Sequence, residues 1–410
     1  MSCKSQPTAD GKAGLKLLNR PTANKIEMHF CSFKSPQLLV KNYIIKLTHS
    51  YANRKKNIIL SFNPVSEKGW IEMSEKIKGF AALTKGATLT PFTYDPPPLK
   101  ENELRIDISH CGICGSDIHA IDDDYSVFDF PFIPGHEVVG IISEVGSGIP
   151  ASRIGERVGV GWQARACGHC EWCLKGEVQL CLDVGNNGTW TPYGGFSTSI
   201  VVQDEFAYPL PEDLPSEHAA VLLCAGLTVF TALSRYYSPA AQKIGIVGIG
   251  GLGHLALQFA SALGYEVTAI SSSSKKREEA FGFGASHYID SSAKGAYKPF
   301  NGYFDMVLIT SQGSIDWSKI QTILKRRGKI IMVAFPQVDL DPVDLVVYEL
   351  SILGSFVGTP DDMRKMLAFA AEHKIRPMVE IIPMSQINEA IARIRQNKAH
   401  YRIVLANDIK

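Results

Sequence analysis

Between residues 73 and 214 the apolar positions come in short runs broken by glycine and proline. Residues 104–108, 138–145 and 157–160 are runs of this kind and predict strands of a β-rich domain. From Gln242 the rhythm changes. Residues 243–247 read as an apolar strand, 251–262 as a helix and 266–270 as a second strand. Residues 304–309, 329–334 and 351–356 continue as strands, with helical stretches between some of them. That alternation predicts a parallel sheet covered by helices. Thr359-Pro360-Asp361-Asp362 then opens a new helix. Thr359 caps it, Pro360 suits the first turn, and the two aspartates favour the positive end of the dipole. The chain closes on a helix over 385–396 and a strand over 401–405.

Residues 1–72 show no sustained periodicity, and charge sets them apart as well. They hold 12 Lys and Arg against four acids, a net of +8, which leaves −7 for the rest of a chain whose total is +1. Such asymmetry marks a tail or a targeting segment. The segment lacks the apolar core of a signal peptide. The expectation is a basic extension that is disordered, a targeting piece or misassigned, with Met73 as the start of the globular part.

A near-neutral total gives no global argument for nucleic acid or an anionic membrane. The longest nearly apolar run, residues 219–233, is 15 residues, short of the roughly 20 a spanning helix needs. Neither partner is therefore expected. Nine cysteines, an odd number, argue against a disulfide scaffold and for thiols free to bind metal in a reducing compartment. That points to the cytoplasm, with organellar targeting by residues 1–72 as the alternative.

Cys167-Gly-His-Cys170-Glu-Trp-Cys173, followed by Cys181, is the strongest chemical signal. Two-residue gaps let successive thiolates converge on one ion, and four thiolates leave Zn²⁺ no open position, so the site is structural. A second set is dispersed. Cys114-Gly-Ser-Asp-Ile-His119 precedes Gly135-His136-Glu137, and Cys224 lies near the end of the β-rich part. Two thiolates and a neutral imidazole balance Zn²⁺ and leave a fourth position for substrate oxygen; this is also the ligand set of the alcohol dehydrogenase zinc, so the assignment is not independent of that family.

Gly248-Ile-Gly250-Gly251-Leu-Gly253 follows an apolar strand and opens a helix, the context of a dinucleotide fingerprint. Gly248 permits the tight turn, Gly250 the approach of the pyrophosphate, and Gly253 the packing of helix on strand. An acid about 20 residues further on would hold the ribose of NAD. Instead the second strand ends in Ser271-Ser-Ser-Ser274-Lys275-Lys276-Arg277, hydroxyls and cations that favour the 2′-phosphate of NADP.

From Met73 onward the chain resembles the zinc-dependent medium-chain alcohol dehydrogenases, in the branch of cinnamyl alcohol dehydrogenases and bacterial broad-range aldehyde reductases. The stretches that carry the resemblance are the Cys111–His119 run, Pro134-Gly-His-Glu-Val-Val-Gly140, the four-cysteine lobe, Leu222-Leu-Cys-Ala-Gly-Leu-Thr-Val229, the glycine turn and His400-Tyr-Arg-Ile-Val404. The resemblance implies an α/β protein: a β-rich GroES-like catalytic domain at 73–235 and 359–410, interrupted by a doubly wound Rossmann domain at 236–358. It implies a catalytic zinc on Cys114, His136 and Cys224, with Glu137 as a transient ligand and Asp117 orienting His136. Ser116 and His119 are implied as proton relay, Thr228 as a nicotinamide contact and Trp162 as pocket lining. Ser271, Ser272 and Lys276 are placed at the NADP phosphate, Gly251 in the turn and Arg402 near the cofactor phosphates. Gly115 departs from relatives that carry His or Arg there.

The expected activity is reversible hydride transfer between NADP(H) and a primary alcohol/aldehyde pair, broad in range, by a homodimer with two zinc ions per chain. A zinc-free quinone reductase and a zinc-binding redox sensor are the rivals from other classes; the two complete cysteine sets and the relay argue against them. A polyol dehydrogenase is the nearest alternative enzyme.

Overall fold

The computed structural model describes residues 75–183, 188–190, 193–240 and 242–409 in full, and the backbone strands 37–40, 43–50 and 57–64. The chain forms two units, residues 1–73 and 74–410. In the first, Gln37–Val40, Tyr43–Ser50 and Asn57–Pro64 pair antiparallel in that order. The sequence pattern predicts no strands there. The runs are short and mix Ile, Leu and Tyr with Lys, Asn and His, so neither periodicity nor a continuous apolar core announces them. The expectation for the remainder of residues 1–72 lies outside the described residues.

The second unit carries a two-stranded antiparallel sheet, Ile77–Ala81 with Thr90–Tyr94, and two larger sheets. In the first, strands Tyr208–Pro209, Arg157–Val160, Glu137–Val145, Glu103–Ile113, Arg402–Ala406 and Val379–Pro383 are neighbours in that order, and Ser199–Gln203 also pairs with Glu103–Ile113. All of these ladders are antiparallel except the last, between Val379–Pro383 and Arg402–Ala406. The second sheet is entirely parallel, with neighbours His287–Asp290, Glu266–Ser271, Lys243–Val247, Phe304–Ile309, Leu324–Met332 and Ser351–Gly354. Counted along the chain this is strand order 3-2-1-4-5-6, the doubly wound arrangement whose switch point lies beside its first strand. The β-rich domain with an inserted Rossmann sheet is therefore the fold.

Element bounds shift in small, explicable ways. The helix expected from 251 begins at Gly253, after the glycine turn is complete. The strand expected at 329–334 runs over Leu324–Met332, with a register shift opposite Phe304 and Met306 and a left-handed Arg327. Thr359 caps helix Pro360–Glu372 by accepting the Asp362 N–H, as the sequence predicts.

Residues 216–235 form one continuous helix, interrupted at Leu222–Gly226 by a single π-helical turn. This segment is long and apolar enough to cross a membrane, but 78% of its apolar window is buried inside the protein. Its Val221, Leu223, Val229 and Leu233 share a buried cluster with Leu255, Phe259 and Met366. A core helix accounts for its composition.

Candidate active site

Strand pairing brings the dispersed residues to one end of the first sheet. Gly112, near the end of Glu103–Ile113, lies opposite Glu137 on one side and Val404 on the other. Cys114, the His136-Glu137 pair and Arg402 therefore share one edge of the fold. Cys224 enters from the π-helical turn, a local widening that is frequent at functional sites.

The Sγ atoms of Cys114 and Cys224, a ring nitrogen of His136 and a Glu137 carboxylate oxygen all lie within 4.8 Å of one another. His136 Nε2 is 3.3 Å from Cys224 Sγ. Ligand bonds of 2.0–2.3 Å around a tetrahedral zinc put such N···S pairs roughly 3.6 Å apart, so the donor set fits the ion. The Cys224 contact holds the Cys114 thiol well below its ordinary pKa, with His136 acting in the same direction. The pair is thus disposed to present thiolate at Cys114, while the same contact, together with burial, pushes the Cys224 thiol up.

Asp117 organises this pocket and is fully buried. Its Oδ1 accepts from His136 Nδ1, Gly135 N and Trp190 Nε1, each at 2.9 Å, and its Oδ2 accepts from Cys114 N at 2.9 Å. With Nδ1–H committed to Asp117, the His136 Nε2 lone pair faces the cluster.

Glu137 is also fully buried, and Arg402 Nη2 donates to both of its carboxylate oxygens at 2.5 Å. Burial pushes the Glu137 carboxyl up to about 7, while Arg402 pulls it down. Gly112 makes this possible, because a Cβ there would collide with Glu137 Oε2. Arg402 in turn lies along the glycine turn: a Cβ on Gly251 would sit 2.9 Å from Arg402 Cδ. The buried Arg402 Nε has no protein partner, which fits a phosphate oxygen beside the turn.

Ser116 Oγ is 3.7 Å from Cys114 Sγ. His119 stands at the mouth of the pocket. Its Nδ1 is 2.6 Å from Asp124 Oδ2, and its Nε2 is 3.1 Å from the side-chain amide of Gln312, which comes from the Rossmann domain. The half-buried Trp162 meets Phe356 edge-on with ring centres 5.1 Å apart, one ring from each domain. Thr228 is buried on the helix that follows the Cys224 turn.

The glycine turn has the geometry its sequence demands. Gly248 has φ +91°, and a side chain on it would press on Ser311. Nothing lies within 4 Å of a Cβ placed on Gly250, so a phosphate can approach the backbone there. Beyond the second strand, Ser271 is buried and Ser272 exposed. Lys276 points inward, donating to the Ile249 carbonyl of the turn at 2.5 Å, with its ammonium 5.3 Å from the Tyr401 ring centre. The structure thus brings Lys276 to the turn itself rather than to the exposed Ser272. Gly115 is exposed, with open space around it.

The four-cysteine lobe closes separately. The Sγ atoms of Cys167, Cys170, Cys173 and Cys181 all lie within 4.8 Å of one another, with Cys167–Cys173 at 3.8 Å and Cys170–Cys173 at 3.5 Å. The sulfur–sulfur edge of a zinc tetrathiolate is about 3.8 Å, so four thiolates fit one ion. Backbone N–H groups of Cys173 and Leu182 hold the Cys170 thiol down at about 6.

Four residues join the site without having been foreseen. Trp190 and Asp124 hold Asp117's carboxylate and His119's ring, and neither lies in a motif. Gln312 reaches His119 from 193 positions away. His254 directly follows the glycine turn and is buried; its Nδ1 is 2.9 Å from Gly250 O, and its Nε2 accepts the Met378 N–H at 3.2 Å. Only His254 carried a signal, its place behind Gly253.

Residues 100–212 match the alcohol dehydrogenase GroES-like domain, and residues 251–372 the zinc-binding dehydrogenase domain. An aldehyde reductase of Synechocystis is 38% identical over 81% of this chain and 99% of its own length. A cinnamyl alcohol dehydrogenase structure from Sorghum bicolor superposes with TM-score 0.75 at 33% identity, covering 81% of this chain and 98% of its own. A Helicobacter pylori cinnamyl alcohol dehydrogenase, solved with NADP(H), gives 0.73 at 29%, over 81% and 98%. With both metal pockets, the glycine turn and the domain order in place, the chain belongs to the zinc-dependent medium-chain alcohol dehydrogenases.

Proposed function

We propose that this protein interconverts primary alcohols and aldehydes with NADP(H), as a broad-range aldehyde reductase. The observation that carries the reading is the convergence of Cys114, His136 and Cys224 in a pocket joined to the glycine turn by Arg402. Those three residues would hold a zinc ion, which would supply the Lewis acid for the carbonyl or alcohol oxygen, and a bound nicotinamide would supply or take the hydride.

The chain's own residues prepare that chemistry. Two thiolates and a neutral imidazole neutralise the ion and leave a side open. Asp117 keeps the His136 ring in the ligating tautomer. Glu137, neutralised by Arg402, stays close enough to enter the metal's shell. Ser116, beside Cys114, and His119, at the mouth, move the substrate's proton between pocket and solvent. Trp162 and Phe356 form an apolar wall suited to aliphatic and aromatic side chains. Gly248, Gly250, Gly251 and Gly253 would seat the pyrophosphate, Arg402 and Lys276 would meet phosphate charge, Thr228 would contact the nicotinamide, and Ser271 and Ser272 would leave room for a 2′-phosphate where an acid would repel it.

The reading extends to assembly and place. Among the described residues strand Ser351–Gly354 is paired on one side only, and Val343, Val346 and Val347 on helix Pro342–Val347 are more than half exposed. An apolar face beside a strand edge supports a homodimer, and reduced cysteines gathered in two metal pockets suit the cytoplasm.

The test is an NADPH-oxidation screen over aliphatic, aromatic and cinnamyl aldehydes, with NADH in parallel and elemental analysis of the same preparation. Two zinc ions per chain and NADPH-preferring turnover are expected. Zinc below one per chain, or no turnover with any aldehyde, overturns the reading.

A further inference from the structure

His119 has both ring nitrogens engaged, one by each domain. Nδ1 is held by Asp124 at 2.6 Å, from the loop that follows its own helix Gly115–Ile121. Nε2 is held by Gln312 at 3.1 Å, from the loop that follows Rossmann strand Phe304–Ile309. The Tyr125 ring lies 5.8 Å away, and Asp122, paired with Arg395, stands behind. Among the described residues no other hydrogen bond reaches the ring. We infer that Gln312 is a positioning residue of the proton relay: across the cleft, its side-chain amide holds the His119 ring with Nδ1 on Asp124 between turnovers, and gives up Nε2 when the substrate's proton is delivered there. This rests on the reading of His119 as relay.

The argument is one of donor and acceptor chemistry. An imidazole that relays protons alternates between a lone pair and an N–H at the receiving nitrogen, while the other nitrogen passes its hydrogen on. A fixed donor satisfies only the neutral ring, and a fixed acceptor only the charged one. A carboxamide serves both, because half a turn about its last torsion exchanges oxygen for NH₂. Gln312 is exposed and unbranched, so that turn meets no packed neighbour. Without it the ring is free to rotate about its own torsion, which takes Nδ1 off Asp124. The proton released by the substrate alcohol takes the place of the amide at Nε2 as one departs from Nδ1 to Asp124 and water, so charge and protons balance at every turnover.

Gln312→Met keeps the length of the side chain and removes both hydrogen-bonding groups. Two readouts test it on the full-length, zinc-loaded protein. The first is independent of activity: the rate at which diethylpyrocarbonate carbethoxylates His119, measured by peptide mass spectrometry without cofactor. Freeing Nε2 should raise that rate about two- to tenfold, the worth of one neutral hydrogen bond. The second is alcohol oxidation with NADP⁺. Turnover should fall by about the same factor, the solvent deuterium isotope effect should rise, and added imidazole should restore turnover, while KM for NADP⁺ stays within about twofold. His119→Asn, the control, should show the same imidazole dependence. Equal carbethoxylation rates in wild type and Gln312→Met overturn the proposal. So does an unchanged isotope effect in an active variant. A wild type inactive on every alcohol and aldehyde instead overturns the functional reading, and the relay role of Gln312 falls with it.

Discussion

Replacing Asp117 by Asn tests whether the catalytic pocket is held by its second layer. The carboxylate takes four hydrogen bonds at 2.9 Å, three on Oδ1 and one on Oδ2, with no solvent exposure. An amide oxygen placed at Oδ1 keeps the three bonds there and turns its NH₂ toward the Cys114 N–H, two donors face to face. The reverse placement sets the NH₂ against three donors and is worse. The better placement leaves both the Cys114 N–H and the new NH₂ facing a donor, each at a cost of about 1–3 kcal/mol, and weakens the remaining bonds by removing their negative acceptor. Cys114 is the N-cap of the helix that begins at Gly115, and its N–H is the capping-box donor to Asp117, so the loss falls directly on a metal ligand. Outer-layer partners of a ligating His typically carry about 10- to 100-fold in metal affinity. Asp117→Asn should therefore lower affinity for one of the two zinc ions by that factor and leave the other unchanged. Competition with a chromophoric chelator, read as two separate release phases, gives both constants. If the variant releases both ions with wild-type constants, the assignment of Asp117 as the pocket's organiser is wrong.

Cys170→Ser should release the other ion and lower thermal stability, since a closed structural site contributes folding free energy directly; differential scanning calorimetry showing an unshifted transition would refute that. Ser272→Asp should move kcat/KM from NADPH toward NADH by about ten- to a hundredfold, measured with both cofactors, because the added carboxylate repels the 2′-phosphate; an unchanged ratio counts against this serine run as the phosphate site. Burial, despite the Gly250 contact, holds His254 down at about 3 against an ordinary 6.5. The unfolded chain then binds the extra proton between those values, so stability is present above pH 6.5 and is lost on acidification, by about 1.4 kcal/mol per pH unit. Denaturant melts from pH 7 to 4 should show that slope in wild type and a shallower one in His254→Gln; equal slopes exclude the residue.

What the sequence made legible follows from the range over which each signal acts. The glycine turn, the four-cysteine lobe and the Thr359 cap are local: their chemistry is set by residues a few positions apart, and the structure places them with that geometry. The grouping of Cys114, His136 and Cys224 spans 110 positions, and it was readable through resemblance to a family rather than through spacing. Trp190, Asp124 and Gln312 were invisible because a single side chain reaching over a fold boundary leaves no periodic trace. Lys276 shows a subtler limit. Its position after the serine run was evident, but whether a flexible ammonium faces solvent or a backbone carbonyl depends on the Tyr401 ring beside it, contributed by the far end of the chain.

That far end explains why two domains act as one site. Arg402 opens the strand that pairs with Glu103–Ile113, so its position is fixed by the same ladder that fixes Cys114. Its guanidinium neutralises Glu137 inside the metal pocket, while its aliphatic stem and unpartnered Nε lie along the glycine turn. The preceding residue, Tyr401, adopts a left-handed φ of +68° and donates its hydroxyl to Glu279 on the helix that follows the serine run. A left-handed tyrosine is costly, of order 1–3 kcal/mol, and persists where its surroundings over-determine it. Here the restraints are the Glu279 acceptor on one side and the Arg402–Glu137 pair on the other. The strained residue thus sits between cofactor domain and metal pocket, and the strain is offset by contacts that hold the two walls of the cleft in register.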